Sequence, residues 1–305
     1  MTAPRLRLVS LSLCFACPII LASDGLQRLT SCVEQKDQAC ILACFREAPS
    51  NRSPEYLALA ARAYMLLGQN QEAIKSIAEA IQLKPDDYDY LMEQGWLCQR
   101  SGDQVSAIES FLRASQINPQ SPAVFYELGM SFFFAKENER AIRHFNHALQ
   151  LDSKNDRAEF MIGVVDIWMG NLQEAKLHFE SALKLQPHNA HYLLHYGVLL
   201  AALNEDDLAF ANILEARMLD PSNPLTRYQI GKRYRMMGKL SEAREELEAA
   251  VRLRPRFPSA LYQLGQLYRQ LGQDAKGREA FEKFAKLSQE EKTGKEDPID
   301  ANLAE

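Results

Sequence analysis

The sequence predicts an all-α array of stacked helical hairpins, and three observations carry that prediction. Prolines recur on a 34-residue grid at Pro85, Pro119, Pro187, Pro221 and Pro255, with Ser153 at the remaining grid point between them. Small residues recur at fixed offsets on the same grid. The composition, 47% hydrophobic and 25% charged, is that of a chain that folds. A fixed period of this length marks supersecondary units that cannot bury their apolar faces alone and complete one another's core by stacking. The formal charge of −5 over 305 residues argues against a phosphate-tracking surface, so nucleic acid is not an expected partner.

Taken in chain order, residues 1–23 read as a secretory signal peptide. Arg5 and Arg7 precede an uncharged, mostly apolar run from Leu8 to Ala22, and small residues Ala22 and Ser23 stand before Asp24. The run is short for a membrane span and Pro18 interrupts it, so no span is expected once it is cleaved. Neither Cys14 nor Cys17 has the flanking residues of a lipoprotein box, which makes lipid anchoring the lesser expectation. The chain is therefore expected outside the cytoplasm, periplasmic or secreted.

Residues 24–53 read as a less regular helical hairpin, a cap or degenerate repeat turning near Lys36 and Asp37. Cys32 and Cys40 lie symmetrically about that turn and would face each other, a candidate disulfide in an oxidising compartment. Cys40 and Cys44 share a helix face at i,i+4 spacing, so the connectivity stays open. No histidine is near and the spacing matches no common zinc pattern. Cys98 falls at a core position and reads as a buried thiol.

Seven units follow without a gap: 54–87, 88–121, 122–155, 156–189, 190–223, 224–257 and 258–291. Position 8 of each unit reads Ala61, Gly95, Gly129, Gly163, Gly197, Gly231 and Gly265. Glycine inside a helix costs about 1 kcal/mol relative to alanine, so its recurrence implies a close helix–helix approach. The expected partner across that approach is the small residue at position 20: Ala73, Ala107, Ala141, Ala175, Ala209, Ala243 and Gly277. Position 15, chiefly Gly with Lys136 and Asn204 as exceptions, ends the first helix in a left-handed conformation. Position 32, chiefly Pro, follows the second helix. Residues 292–305 read as an acidic, disordered tail.

These residues, with segments such as Ala80-Ile81-Gln82-Leu83-Lys84-Pro85 and Ala182-Leu183-Lys184-Leu185-Gln186-Pro187, resemble the tetratricopeptide repeat (TPR) family. The resemblance covers about three quarters of the chain. It implies a right-handed superhelix in which first helices line a concave groove, contacted mainly through positions 2, 5, 9, 12 and 13. Those positions supply the candidate partner-binding residues Met92, Trp96, Tyr126, Met130, Phe133, Phe160, Val164 and Ile167, then Tyr228, Lys232, Arg235 and Arg269. The series runs from apolar to basic, which suits a protein or peptide ligand with an acidic end. The competing reading makes the apolar stripe core between repeats. Two family variants are missing. The chaperone-tail clamp would need Lys and Asn where Ala58/Arg62 and Met92/Trp96 stand, and the position-6 asparagine ladder is replaced by Leu59, Glu93, Glu127 and their successors.

Other chemistry is sparse. His188, His191 and His195 cluster at the start of the fifth unit, and the latter two share a helix face at a spacing that can hold a metal. Without a glutamate between them they are a secondary metal candidate beside the plainer reading of surface histidines. Asp166 occupies position 11, where neighbouring units use Tyr64, Cys98, Phe132, Leu200, Tyr234 and Tyr268, so it needs a partner; Tyr196 is the expected donor. There is no phosphate loop, nucleophile elbow or paired-carboxylate cleft, and the expectation is a non-enzyme without a cofactor. The sequence therefore reads as an exported scaffold that binds a partner in its groove during assembly of a larger complex. The alternatives are an envelope- or pilus-assembly lipoprotein, and a targeting subunit of an enzyme complex.

Overall fold

A computed structural model describes residues 18–47 and 53–292. Among these residues there are sixteen α-helices and no strand. Most of the segment read as a signal peptide and nearly all of residues 292–305 lie outside the described part. Two compact units divide the chain, residues 1–140 and 141–305, with the boundary inside one helix.

The first unit holds α1 (Pro18–Glu34), α2 (Gln38–Glu47), α3 (Pro54–Leu66), α4 (Asn70–Leu83), α5 (Tyr88–Ser101), α6 (Gln104–Ile117) and α7 (Pro122–Phe134). Helix α8 (Asn138–Leu151) crosses the boundary. The second unit continues with α9 (Asp156–Met169), α10 (Leu172–Leu185), α11 (Ala190–Ala202), α12 (Asp206–Leu219), α13 (Pro224–Met236), α14 (Leu240–Leu253), α15 (Pro258–Gln270) and α16 (Asp274–Lys292). Within each unit the helices of a hairpin pack against each other, as α3 on α4 and α13 on α14, and neighbouring hairpins pack through pairs such as α4 on α5 and α12 on α13, while α1 packs on α3. Helix α1 begins inside the segment assigned to the leader and runs through it without a break. No described helix is long and apolar enough to cross a membrane.

Local chemistry explains where the helices start and stop. The odd-numbered helices from α3 to α15 begin on the 34-residue grid. The residue before each is usually a side-chain cap: Ser53 accepts from the Tyr56 amide, Asp87 from Tyr90, Asn155 from Ala158, and Asn189 and Asn223 each accept from two amides. Such caps satisfy amides that have no partner inside the helix, and proline at the first helical position of α3, α7, α13 and α15 is pre-set for helical φ. The turn residue at position 15 has positive φ throughout, including Gly102 (82°) and Gly170 (83°), and also Lys136 (62°) and Asn204 (63°). Lys36 takes the same conformation (54°) between α1 and α2. The two lysines are held there by the hairpin despite the crowding of their Cβ atoms.

The glycine at position 8 does allow close approach, but its partner differs from the expected small residue. A Cβ on Gly95 would lie 2.4 Å from the Phe111 ring, and one on Gly163 would lie 2.7 Å from the Phe179 ring. Both rings come from position 24 and are fully buried. The position-20 alanine meets the glycine only through backbone, at 3.2 Å for the Ala175 carbonyl over Gly163. Glycine thus makes room for a large ring laid flat on the first helix, and the small residue at position 20 lets the second helix come near enough to place it. A ring meets the glycine in the hairpins of Gly95, Gly163 and Gly265, and Ile213 and Leu247 take the same place over Gly197 and Gly231.

Candidate functional site

The predicted partner-binding residues divide sharply by exposure. In the first unit Met92 and Tyr126 are buried, Met130 and Phe133 are half-buried, and Trp96 is 44% exposed. In the second unit Phe160 and Val164 are buried and Ile167 is half-buried. Met92, Tyr126, Phe160 and Val164 are buried, which favours the competing reading of these four as core between repeats. The reason is plain at Phe160. Its ring stacks on Tyr192 at 4.5 Å between centroids and is flanked by His191 at 5.0 Å and His195 at 5.3 Å, all from α11. The stripe there is core between hairpins.

Further along the second unit the same register opens. A cleft of about 590 Å³ is formed by α11, α12, α13 and the residues entering α15. Its apolar floor includes Val198, Phe210, Ile213 and Phe257, and Tyr228 lies 5.1 Å from Phe257 between ring centroids. Its polar side is basic. Lys232 is exposed and has no ion-pair partner among the described residues. Arg233 pairs with Asp206, yet its Nε is buried without an acceptor. Of the basic candidates, only Lys232 lies in the cleft. Arg235 donates to Gln266 at 2.7 Å, and Arg269 sits over the Phe281 ring at 5.7 Å.

Several cleft residues escaped the sequence reading. Met236 stands at position 13, one of the groove positions, without having been singled out, whereas Phe210 carries no periodic signal of function. Phe257 does carry one: it occupies the capping position filled in other units by Ser53, Asp87, Asn155, Asn189 and Asn223, and it makes no side-chain cap. An aromatic residue in place of a cap gives up the capping bond, and here it forms the cleft floor.

The histidines do not converge on one point. His188 turns toward Glu215, with Nδ1 3.4 Å from the carboxylate, whereas His191 and His195 pack edge to face at 4.4 Å. Burial, with His191 alongside, pushes the His195 imidazole down to about 3, although part of the residue still reaches solvent. Desolvation where the ring lies against Phe160 and His195 also pushes the His191 imidazole down, although the residue as a whole is exposed. Their role is to cover Phe160 as neutral rings. Asp166 is buried, and burial pushes its carboxyl up. Its donor is the Asn171 amide at 3.3 Å and not Tyr196, whose hydroxyl instead donates to Glu180 at 2.8 Å. A neutral or amide-bonded carboxyl in a hairpin core is a structural feature.

Cys32 and Cys40 form a disulfide across the α1–α2 turn, with Cα atoms 5.6 Å apart. Cys44 and Cys98 are free and buried. Burial pushes the Cys98 thiol up to about 11, in keeping with an inert core sulfur.

Sequence-family models for the tetratricopeptide repeat match residues 59–122, 169–224 and 258–291, and a TPR repeat model matches 231–272. The chain belongs to the tetratricopeptide repeat family. No curated protein matches it in sequence. Among solved structures it is similar to a tetratricopeptide repeat protein from Parabacteroides merdae, with TM-score 0.63 at 18% identity over 78% of this chain and 94% of that one. A chain of the APC/C hetero-tetramer Cut9-Hcn1 gives TM-score 0.62 at 16% identity, over 80% of this TPR chain and 48% of that one. Pseudomonas aeruginosa pilF gives 0.58 at 18% identity, over 68% and 94%. At these identities the likeness is of fold.

Proposed function

We propose that this TPR protein is an exported scaffold whose second-unit cleft holds a short segment of a partner protein. In this reading the segment places an apolar side chain against Phe210, Tyr228 and Phe257, and a carboxylate at Lys232. The observation that carries the proposal is the combination of an apolar floor with a cation that no other described residue neutralises. The buried Arg233 Nε, left without an acceptor, supports the same polarity, because a buried donor without a partner costs about 1–3 kcal/mol until something satisfies it. Export rests on residues 1–23, with their basic start, short apolar run and small-residue exit. Amino-terminal sequencing of the protein recovered from a secreting bacterial host checks it; a mature chain starting near Asp24 is expected, and an intact Met1 in the cytoplasm would refute export.

Panning a random peptide library against the immobilised protein tests the cleft. Enriched peptides are expected to pair Asp or Glu with a neighbouring large apolar residue. Lys232→Glu is expected to weaken them at least tenfold with an unchanged melting temperature, because the side chain is exposed. Equal binding by the variant would place the partner site elsewhere.

A further inference from the structure

The α1–α2 hairpin carries a feature that a stapled cap does not require. The Sγ atoms of Cys32, Cys40 and Cys44 all lie within 4.8 Å of one another. Cys44 Sγ is 3.7 Å from Cys32 Sγ. Three sulfurs therefore meet at one point, and a disulfide uses only two. The third, Cys44, has the disulfide sulfur of Cys32 as its neighbour, to which its S–H donates only weakly. Its surroundings are Leu29, Ile41, Tyr56, Ala60 and Ala63, a buried apolar cluster to which Cys32 also belongs.

A second, independent observation sits in the same cluster. Tyr56 is 5% exposed, and its hydroxyl is buried with no hydrogen-bond partner among the described residues. A buried phenol normally finds an acceptor. A donor beside Cys44 that lacks an acceptor is suited to a sulfur carrying negative charge.

We propose that Cys32, Cys40 and Cys44, in their thiol form, make a three-sulfur site for a soft monovalent cation of the Cu(I) class, with the Tyr56 hydroxyl as an outer donor to the Cys44 sulfur. Sulfurs bonded to one first-row ion at about 2.3 Å stand roughly 3.8–4.0 Å apart. The 3.7 Å between Cys32 and Cys44 already matches that spacing. Reduction by a dithiol, which leaves as its own cyclic disulfide, converts the Cys32–Cys40 bond to two thiols, after which the half-buried Cys40 side chain has room to rotate. Ligand type selects the metal. Three thiolates with no imidazole or carboxylate atom in their cluster favour a soft ion. Structural zinc takes four protein ligands, and no histidine or carboxylate joins these three sulfurs among the described residues. Loading one Cu(I) on three thiols releases up to three protons to solvent and changes no oxidation state. The disulfide and the ion compete for the same sulfurs, so the oxidised hairpin is the metal-free form.

The test uses the full chain with Cys14→Ser and Cys17→Ser, so that these three cysteines and Cys98 are the only thiols left. Dithiothreitol reduces Cys32–Cys40 and leaves as its own cyclic disulfide, after which it is removed without oxygen. Cu(I), maintained with ascorbate, is then titrated in competition with bicinchoninate. One Cu(I) per chain is expected to be withheld from the chelator. Cys98→Ser should retain it, and Cys40→Ser and Cys44→Ser should each lose it. Tyr56→Phe should weaken it severalfold. Should Cys44→Ser unfold, Cys40→Ser, at a half-buried position, still decides the matter, with helicity read by circular dichroism. Failure of the reduced protein to withhold Cu(I), retention by Cys40→Ser, or tighter binding of Zn(II) than of Cu(I) would overturn the proposal.

Discussion

Helices α9 and α13 occupy the same place in their respective repeats, yet one is sealed and the other is open. Phe160, Val164 and Ile167 on α9 stand in register with Tyr228, Lys232 and Arg235 on α13. The next first helix decides the difference. After α9 comes α11, which presents His191, Tyr192 and His195, three rings that close over Phe160. After α13 comes α15, which presents Ser259, Ala260 and Gln263 at the equivalent positions. Small and polar residues leave the space beside Tyr228 unfilled, and the cleft is that space. An apolar stripe on a repeat helix is thus core or site according to what its successor places on top of it, and its own residue types do not settle which.

That comparison can be broken most directly at its sealed end. Phe160→Ser should cost about 3–5 kcal/mol, because it empties a fully packed ring site, whereas Tyr228→Ser should cost much less and act mainly on peptide binding. Urea denaturation of both variants reads the contrast; comparable losses of stability would mean that the cleft side chain is core too. A smaller effect sharpens the shared framework beneath the two helices. Gly163→Ala sets a methyl 2.7 Å from the rigid Phe179 ring. Overpacking of this kind costs about 1–3 kcal/mol, offset in part by about 1 kcal/mol of helix propensity. A net fall in the melting temperature is expected, and a Gly163→Ala protein as stable as the parent would show that the ring-on-glycine contact has slack.

The repeats themselves were legible because their signals are local. A proline grid, a small residue at position 8, a turn residue at position 15 and a capping residue before each first helix act within one hairpin, so the sequence shows them directly. The positive φ at Lys136 and Asn204 follows from the same period, since the hairpin imposes the conformation on whatever residue stands there. The pairing across the glycine was misread because alanine and glycine look like mutual partners on paper. In three dimensions the helix offset brings the ring of position 24 onto the glycine instead.

By itself the sequence determined the all-α repeat class, the helix ends and the apolar-to-basic run along the first helices. Tertiary structure alone decided which apolar residues are covered, that Lys232 and not Arg235 or Arg269 reaches the cleft, and that three sulfurs and the Tyr56 phenol share one buried cluster. The physical reason is the range of the interactions. Helix capping and turn conformation are fixed within a few residues of chain. Burial depends on side chains from the next hairpin, about 34 residues away, whose positions are set only once the hairpins have packed.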